Sequence, residues 1–563
     1  MKIRLTFVAM LAVCVVWLPD RAAAGWSAVT AAPINVSTMM LLSDGTVMCQ
    51  NNGGTGWRRL VPDSTGNYSS GRWTNDINPM TYTRTYFSSD ILQNGKVFVA
   101  GGELGNGGSY VEIYDPVANS WADYGPNYFG GIADGESVVL DNGQVLIAPQ
   151  AASSGYGNKT FIFNPSSHTF SGAISPLNAL DEDCWVKLAD DSILTVDSDQ
   201  SSYGALTAER YVPGTGWVSA GTLPVSIWAA LPNGGIVGET GPGFLLPNGN
   251  AIFFGGNGKT AIYQTASGTW IQGPDIPGSQ VSADAPGAMM PNGKILLCVS
   301  SALSDNANPN SPSDWPSPIS FYEYDYSVGS IGGYTHLLGP DNASFTRSDQ
   351  TYYCRMLVLP SGNVLFTDGG SQLYIFQTDS APLATGQPTI NKVSWNSDAS
   401  LHITGTLFDG ISQGAAYGDD QQMDTDFPIV RFTDGSGNVY YGRTHDWSST
   451  SVKTGGQVMT TEVTVPDAVL DFPAAYSLQV IANGNASSAV TFYSPVWVDF
   501  NYTSAFNFYF GWFVFPYNTL ATGVSGVTSG GTILIKSSNS HETMTISKPM
   551  TISSVYGPST IGH

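Results

Sequence analysis

One phrase recurs through the first two thirds of the chain: an apolar run, a tight turn and a second apolar run. It reads LLSDGTVMC at 41–49, ILQNGKVFVAGG at 91–102, VVLDNGQVLIA at 138–148 and VKLADDSILTVD at 186–197. It continues as FLLPNGNAIFFGG at 244–256, MMPNGKILLCV at 289–299 and LVLPSGNVLFTDGG at 357–370. The turn positions Gly45, Gly95, Gly143, Asp191, Gly249, Gly293 and Gly362 lie 44 to 69 residues apart, the period of one four-stranded propeller blade. Such turns supply the positive φ that a tight hairpin needs. The flanking Val, Leu, Ile and Phe suit strands buried between neighbouring layers. A single blade cannot cover both of its faces, so the repeat predicts a closed ring of seven.

Composition supports an all-β reading. Gly is abundant at 64 residues, aromatics make up 12% and charged residues only 12%, against about 25% charged in a typical globular chain. No long 3.6-period amphipathic stretch is present. The formal charge of −23 repels phosphate backbones, so nucleic acid is not an expected partner. Lys2 and Arg4, the apolar run from Leu5 to Leu18 and the small residues Ala22-Ala23-Ala24 read as an export signal over 1–24. The apolar run is shorter than the roughly 20 residues of a spanning helix. The expected location is therefore secreted or extracytoplasmic (periplasm or cell surface), with no transmembrane helix after cleavage. Export permits disulfides, but Cys49, Cys184, Cys298 and Cys354 are widely spaced, without CxxC pairing, and read first as small apolar strand residues. The aromatic run FNFYFGWFVFP at 506–516 reads as a packed segment or a surface patch.

Several copies carry a second element: Tyr114 before Trp121, Tyr211 before Trp217 and Tyr263 before Trp270, with Gly101-Gly102, Gly255-Gly256 and Gly369-Gly370. This resembles the Kelch repeat, in which paired glycines let backbones approach and aromatics fill the space between blades. After the propeller (25–384), the segment 385–495 contains short alternating strands such as LHITGTLF, FPIVRFTD and YSLQVIANG, read as an immunoglobulin-like sandwich. The order of domains, and GAAYGDDQQMDTDFPIVRF within the second, resemble galactose oxidase and glyoxal oxidase with their early-set domain. The last segment, 496–563, joins the aromatic linker to short strands (TILIK, MTIS, MTISS) punctuated by GG and KP. It resembles the opening coil of a parallel β-helix, and one or two coils need a supporting domain or a protein partner.

In the copper-radical oxidases of that family, two tyrosines and two histidines hold copper near the propeller axis, and one tyrosine is linked to a cysteine. Imidazole and phenolate suit copper. RTYFSSDILQNGKVFVAGG (84–102) resembles the strand bearing the cross-linked tyrosine and places Tyr86 there. QTYYCRMLVLPSGNVLFTDGG (350–370) resembles the strand bearing the axial tyrosine and then a histidine. Tyr352 keeps the tyrosine and Tyr353 replaces the histidine. His445, in YGRTHDWSST, is the candidate for the second histidine. The cysteine is absent, since Val36 or a neighbour occupies its place. The resemblance therefore implies a damaged copper site: Tyr86 and Tyr352 as catalytic and metal residues, His445 as a third ligand, and copper held weakly or not at all. The acidic residues Asp181-Glu182-Asp183 and Asp419-Asp420 are candidates for acid–base or Ca²⁺ chemistry and equally read as solvated turns.

Three functions fit these residues. The first is a non-redox protein that binds glycans or other extracellular polymers. The second is a divergent copper-dependent oxidase of alcohols or aldehydes that produces hydrogen peroxide. The third is an extracellular structural or assembly protein.

Overall fold

The computed structural model describes residues 24–149, 152–153, 155–178, 180, 183–197, 206–229, 240–303, 315–417 and 423–562. The export-signal reading, Asp181, Glu182, Asp419 and Asp420 fall outside them, apart from Ala24 at the signal's end. Within these residues the protein is all-β in a propeller-like arrangement.

All seven repeats fold as the same hairpin. Each turn residue has positive φ: 75° at Gly45, 76° at Gly95 and Gly143, 64° at Asp191, 92° at Gly249, 81° at Gly293 and 84° at Gly362. Each turn closes with the same pair of backbone bonds, as in Gly45 N to Leu42 O and Leu42 N to Thr46 O. Asp191 fills the left-handed position without glycine because a short polar side chain tolerates it. Six hairpins belong to four-stranded antiparallel sheets, and the hairpin at Gly293 belongs to a seven-stranded sheet built on Ile295–Ser301 and Ile319–Asp325. First strands of neighbouring sheets touch one another, for example Val36–Leu41 against Arg355–Val358 and Ser88–Ile91 against Glu136–Val139. The sheets therefore converge on an axis. Gly25–Ala28 pairs antiparallel with Tyr374–Gln377, so the chain's start completes the last sheet and closes the ring.

The Kelch-type aromatics are structural. Tyr114 lies opposite Trp121, Tyr211 opposite Trp217 and Tyr263 opposite Trp270 in the strand registers. Each indole N–H donates outside its own sheet: Trp121 to Asn78 O, Trp217 to Thr160 Oγ1 and Trp270 to Ala220 O. The first glycine of the pair at 101–102 is required by geometry. Gly101 has φ 75°, and a Cβ there would stand 1.9 Å from Ile132 O. Gly101→Ala is expected to lower the unfolding free energy by at least about 2 kcal/mol, from overpacking together with backbone strain, measured by urea denaturation.

The next segment departs in part from the expected sandwich. Its strands, from Thr389–Trp395 to Val490–Tyr493, form one connected eight-stranded sheet instead of two separate ones. The sheet folds back on itself, so Trp395 on the first strand meets Phe492 on the last at 5.7 Å, around a core that includes Leu401, Phe432, Val463 and Leu478. In the tail, Val496–Val498, Thr532–Lys536 and Thr551–Val555 stack in parallel. This coil packs on the curled sheet through Trp497, Leu534 and Val555 against Trp395 and Ala399. The aromatic run forms no strand and leaves Phe506, Phe508 and Phe510 exposed. No helix among the described residues is long and apolar enough to cross a membrane.

Candidate functional site

Tyr86 stands just before the first strand of its sheet, with φ 51°, a strained conformation for a bulky residue. The preceding Arg84 explains how it is held. Arg84 is fully buried, its guanidinium 3.0 Å from the Glu112 carboxylate, and it also donates to the carbonyls of Gly101 and Tyr110. Gln50 donates from Nε2 to Arg84 O at 2.8 Å, while its Oε1 accepts from Ser37. Arg84 is thus a structural residue that fixes the backbone into Tyr86.

Tyr352 sits in the 3₁₀ turn Thr351–Tyr353, anchored by the Thr351 hydroxyl on Ala283 O at 3.0 Å. Its hydroxyl donates to Gln350 Oε1 at 3.1 Å, and its ring lies 4.1 Å from that of Tyr353. Burial first, and then the neighbouring Tyr353 hydroxyl, push the Tyr352 phenol well above its ordinary pKa. The structure brings Tyr86, Tyr352 and Tyr353 together around one small, shallow cleft, with Ser37, Thr38, Gln50, Asn52, Thr85, Arg355 and Gly369 completing the lining.

The third histidine-like position is not His445. That residue lies beside the Gly95 turn, at the far end of the strand that Tyr86 begins. Its Nδ1 is 2.7 Å from Asp446 Oδ2, and its Nε2 is 3.5 Å from the Thr464 hydroxyl. His445, the candidate for the second histidine, therefore lies apart from the cleft that Tyr86 and Tyr352 share. The described residues 409–417 and 423–427 enter the ring. Ala415–Ala416 pairs with Gly287 and Ala288 of an axial strand, and this brings Tyr417 against the Tyr352 turn. Tyr417 donates to Tyr352 O at 3.0 Å, and the Arg355 guanidinium stacks 3.6 Å above its ring and 5.9 Å from that of Tyr86. Tyr417 and Arg355 were missed in the sequence. The only available signal was the unusual run GAAYGDDQQMDTD after a strand pattern.

Below the cleft the same segment meets a buried charge cluster. Lys187 Nζ lies 2.8 Å from Asp426 Oδ2 and donates to Thr450 O at 2.7 Å. Burial works against this ammonium, yet Asp426 and Asp424 hold its pKa above the usual lysine value. Asp90 accepts from the Ser137 hydroxyl at 2.7 Å, and burial raises its carboxyl to about 7. Asp409 and Asp424 are pushed up for the same reason. Asp183, the described member of its acidic run, is buried rather than a solvated turn.

The donors around the cleft are a poor match for copper. The cleft lining contains no histidine and no cysteine. Tyr352 resists ionisation, and the Arg355 cation occupies the space beside Tyr86. Among the described residues no three His, Cys, Asp or Glu side chains gather to hold a metal. Phenols without an imidazole or thiolate partner are a poor copper set, so the donors present do not fit the metal.

No family model matches the chain, and no curated protein matches it. Solved structures similar to it include a fungal alcohol oxidase of the AA5 family in complex with copper, at 13% identity and a TM-score of 0.47, covering 84% of this chain and 100% of that one. They also include virginiamycin B lyase from Staphylococcus aureus, at 9% identity and a TM-score of 0.39, covering 63% of this chain and 99% of that one.

Proposed function

We propose that this chain is an exported, seven-bladed propeller protein that binds a glycan or similar hydroxyl-rich polymer at the tyrosine cleft without redox chemistry. The observation that supports this most is the lining itself. Tyr86, Tyr352 and Tyr353 offer aromatic faces, while Ser37, Thr38, Gln50, Asn52 and Thr85 offer neutral donors and acceptors. Sugars present apolar C–H faces and a rim of hydroxyls, which this combination matches. The absence of a carboxylate from the lining gives the cleft no acid–base pair for glycoside hydrolysis, so binding is the role assigned. The immunoglobulin-like segment, in this reading, serves to bring Tyr417 against the Tyr352 turn and so support the cleft from behind.

The competing reading, a copper-dependent oxidase of alcohols or aldehydes, draws on Tyr86 and Tyr352 sharing one cleft. Two measurements separate them. Purified protein loaded with Cu(II) and desalted is expected to retain no stoichiometric copper and to release no peroxide on sugars, alcohols or aldehydes. One tightly held copper per chain with peroxide output overturns the binding reading. On a glycan array the protein is expected to retain specific ligands. Tyr353, partly exposed at 43%, can be replaced without opening the core. Tyr353→Ala is expected to weaken that binding about tenfold, or about 1.4 kcal/mol, with an unchanged melting temperature.

A further inference from the structure

Two buried thiols lie side by side beneath the cleft. Cys298 is in the middle of Ile295–Ser301, and Cys354 immediately precedes Arg355–Val358. Both flank the short connection 283–286. Cys298 N donates to Pro286 O at 3.2 Å, and the Thr351 hydroxyl donates to Ala283 O at 3.0 Å, with Cys354 N returning to Thr351 O at 2.9 Å. The strand that follows, Gly287–Met289, pairs with Ile295–Ser301 and packs on Arg355–Val358. Ile295–Ser301 also packs directly on the Thr351–Tyr353 turn, so Cys298 and Cys354 face one another as neighbours, and the Cys298 thiol helps to raise the Cys354 thiol's pKa. Both are fully buried in one core. The other two described cysteines stand apart: Cys184 Sγ accepts from Gly243 N, and Cys49 faces Met39 across a different sheet.

We propose that Cys298 and Cys354 are a modification site, forming a disulfide that ties neighbouring sheets together directly under the turn bearing Tyr352. The chemistry is thiol–disulfide exchange with an oxidant that is itself a disulfide, either a small molecule or a thiol oxidoreductase. One cysteine thiolate attacks the oxidant's S–S bond, giving a mixed disulfide and releasing one thiolate. The second cysteine thiolate attacks the mixed bond, forming the Cys298–Cys354 bond and releasing the other. Two electrons pass to the oxidant, and the two protons lost by the cysteines end on its thiols. Burial holds the Cys354 thiol protonated in the finished fold, so the exchange belongs to the folding chain, while both sulfurs are still reachable. The bond would clamp the Thr351–Tyr353 turn, adding a covalent tie to the Thr351 hydroxyl on Ala283 O and the Tyr417 hydroxyl on Tyr352 O.

The test is to refold the protein in mixed oxidised and reduced glutathione, alkylate it under denaturing conditions and map its peptides without reduction. The expected result is a peptide pair joining Cys298 to Cys354, with Cys49 and Cys184 alkylated. Alkylation of both Cys298 and Cys354, or their capture by glutathione or by other cysteines, overturns the proposal. If refolding fails, protein made through an oxidising secretory compartment is mapped in the same way. As a second readout, dithiothreitol is expected to lower the melting temperature of the wild type and leave that of C298S/C354S unchanged. A wild-type melt indifferent to reductant also overturns it.

Discussion

Raising the pH from about 5 to about 8 is expected to lower the melting temperature, and Asp90→Asn is expected to remove much of that loss. Asp90 is fully buried, and its carboxyl is raised from 3.8 to about 7. A carboxyl whose folded-state pKa is raised favours folding while it is protonated. That contribution is complete below the unfolded value and is lost as pH rises through the folded value. The window for Asp90 therefore runs from about 4 to about 7. Glu209, raised to about 8 by burial and then by Asp197, extends the loss upward. The effect of Asp90 is on the order of a few kcal/mol, shared with Asp426 and Lys187, which act on the same group. Asparagine keeps an acceptor for the Ser137 hydroxyl and carries no charge. Asp90→Asn should therefore be more stable than the wild type at pH about 8 and close to it at pH about 5. A melting temperature that rises with pH across this range, or a variant with the wild-type pH profile, would refute the argument.

The second large effect is expected from Lys187. Its ammonium is almost wholly buried and ties an axial strand to the curled sheet's segment through Asp426 and to Thr450 O. Lys187→Met leaves Asp426, Asp424 and Asp90 without their buried cation. Removing one partner of a buried pair typically costs about 3–5 kcal/mol. Chemical denaturation should show a loss of this size. Lys187→Met/Asp426→Leu should recover much of it, because a buried pair replaced by apolar groups costs far less than a broken one. If the double variant is as unstable as the single one, the pair is not what holds the segment in the ring.

The repeat was legible because its determinants are local. A hairpin is set by a few residues that must reach positive φ between two apolar runs. All seven are present, including the one that uses Asp191 in place of glycine. The structural roles of Trp121, Trp217 and Trp270 were legible for the same reason, since each follows its Tyr by six or seven residues across a tight turn. Tyr86, Tyr352 and Tyr353 lie together in the structure because each lies next to a recognisable hairpin.

His445 stands apart from the tyrosine cleft for a physical reason. Its strand, Val439–His445, runs to the turn end of the ring. The segment that enters the axis is chosen by Lys187–Asp426 and by the pairing of Ala415–Ala416 with Gly287 and Ala288, contacts between residues more than a hundred positions apart. No local pattern encodes them. The same holds for the single curled sheet, whose closure depends on Trp395 meeting Phe492.

By itself, then, the sequence determined the all-β class, the seven hairpins and the tyrosines at the head of two of them, all consequences of turn chemistry and strand periodicity within a few residues. The tertiary structure alone decided how the ring closes through Gly25–Ala28, which segment plugs its axis and which charges are buried there. It also decided that the cleft is completed by Arg355, with Tyr417 behind the Tyr352 turn, instead of histidine. These outcomes follow from burial and pairing between distant strands, where desolvation selects the partners.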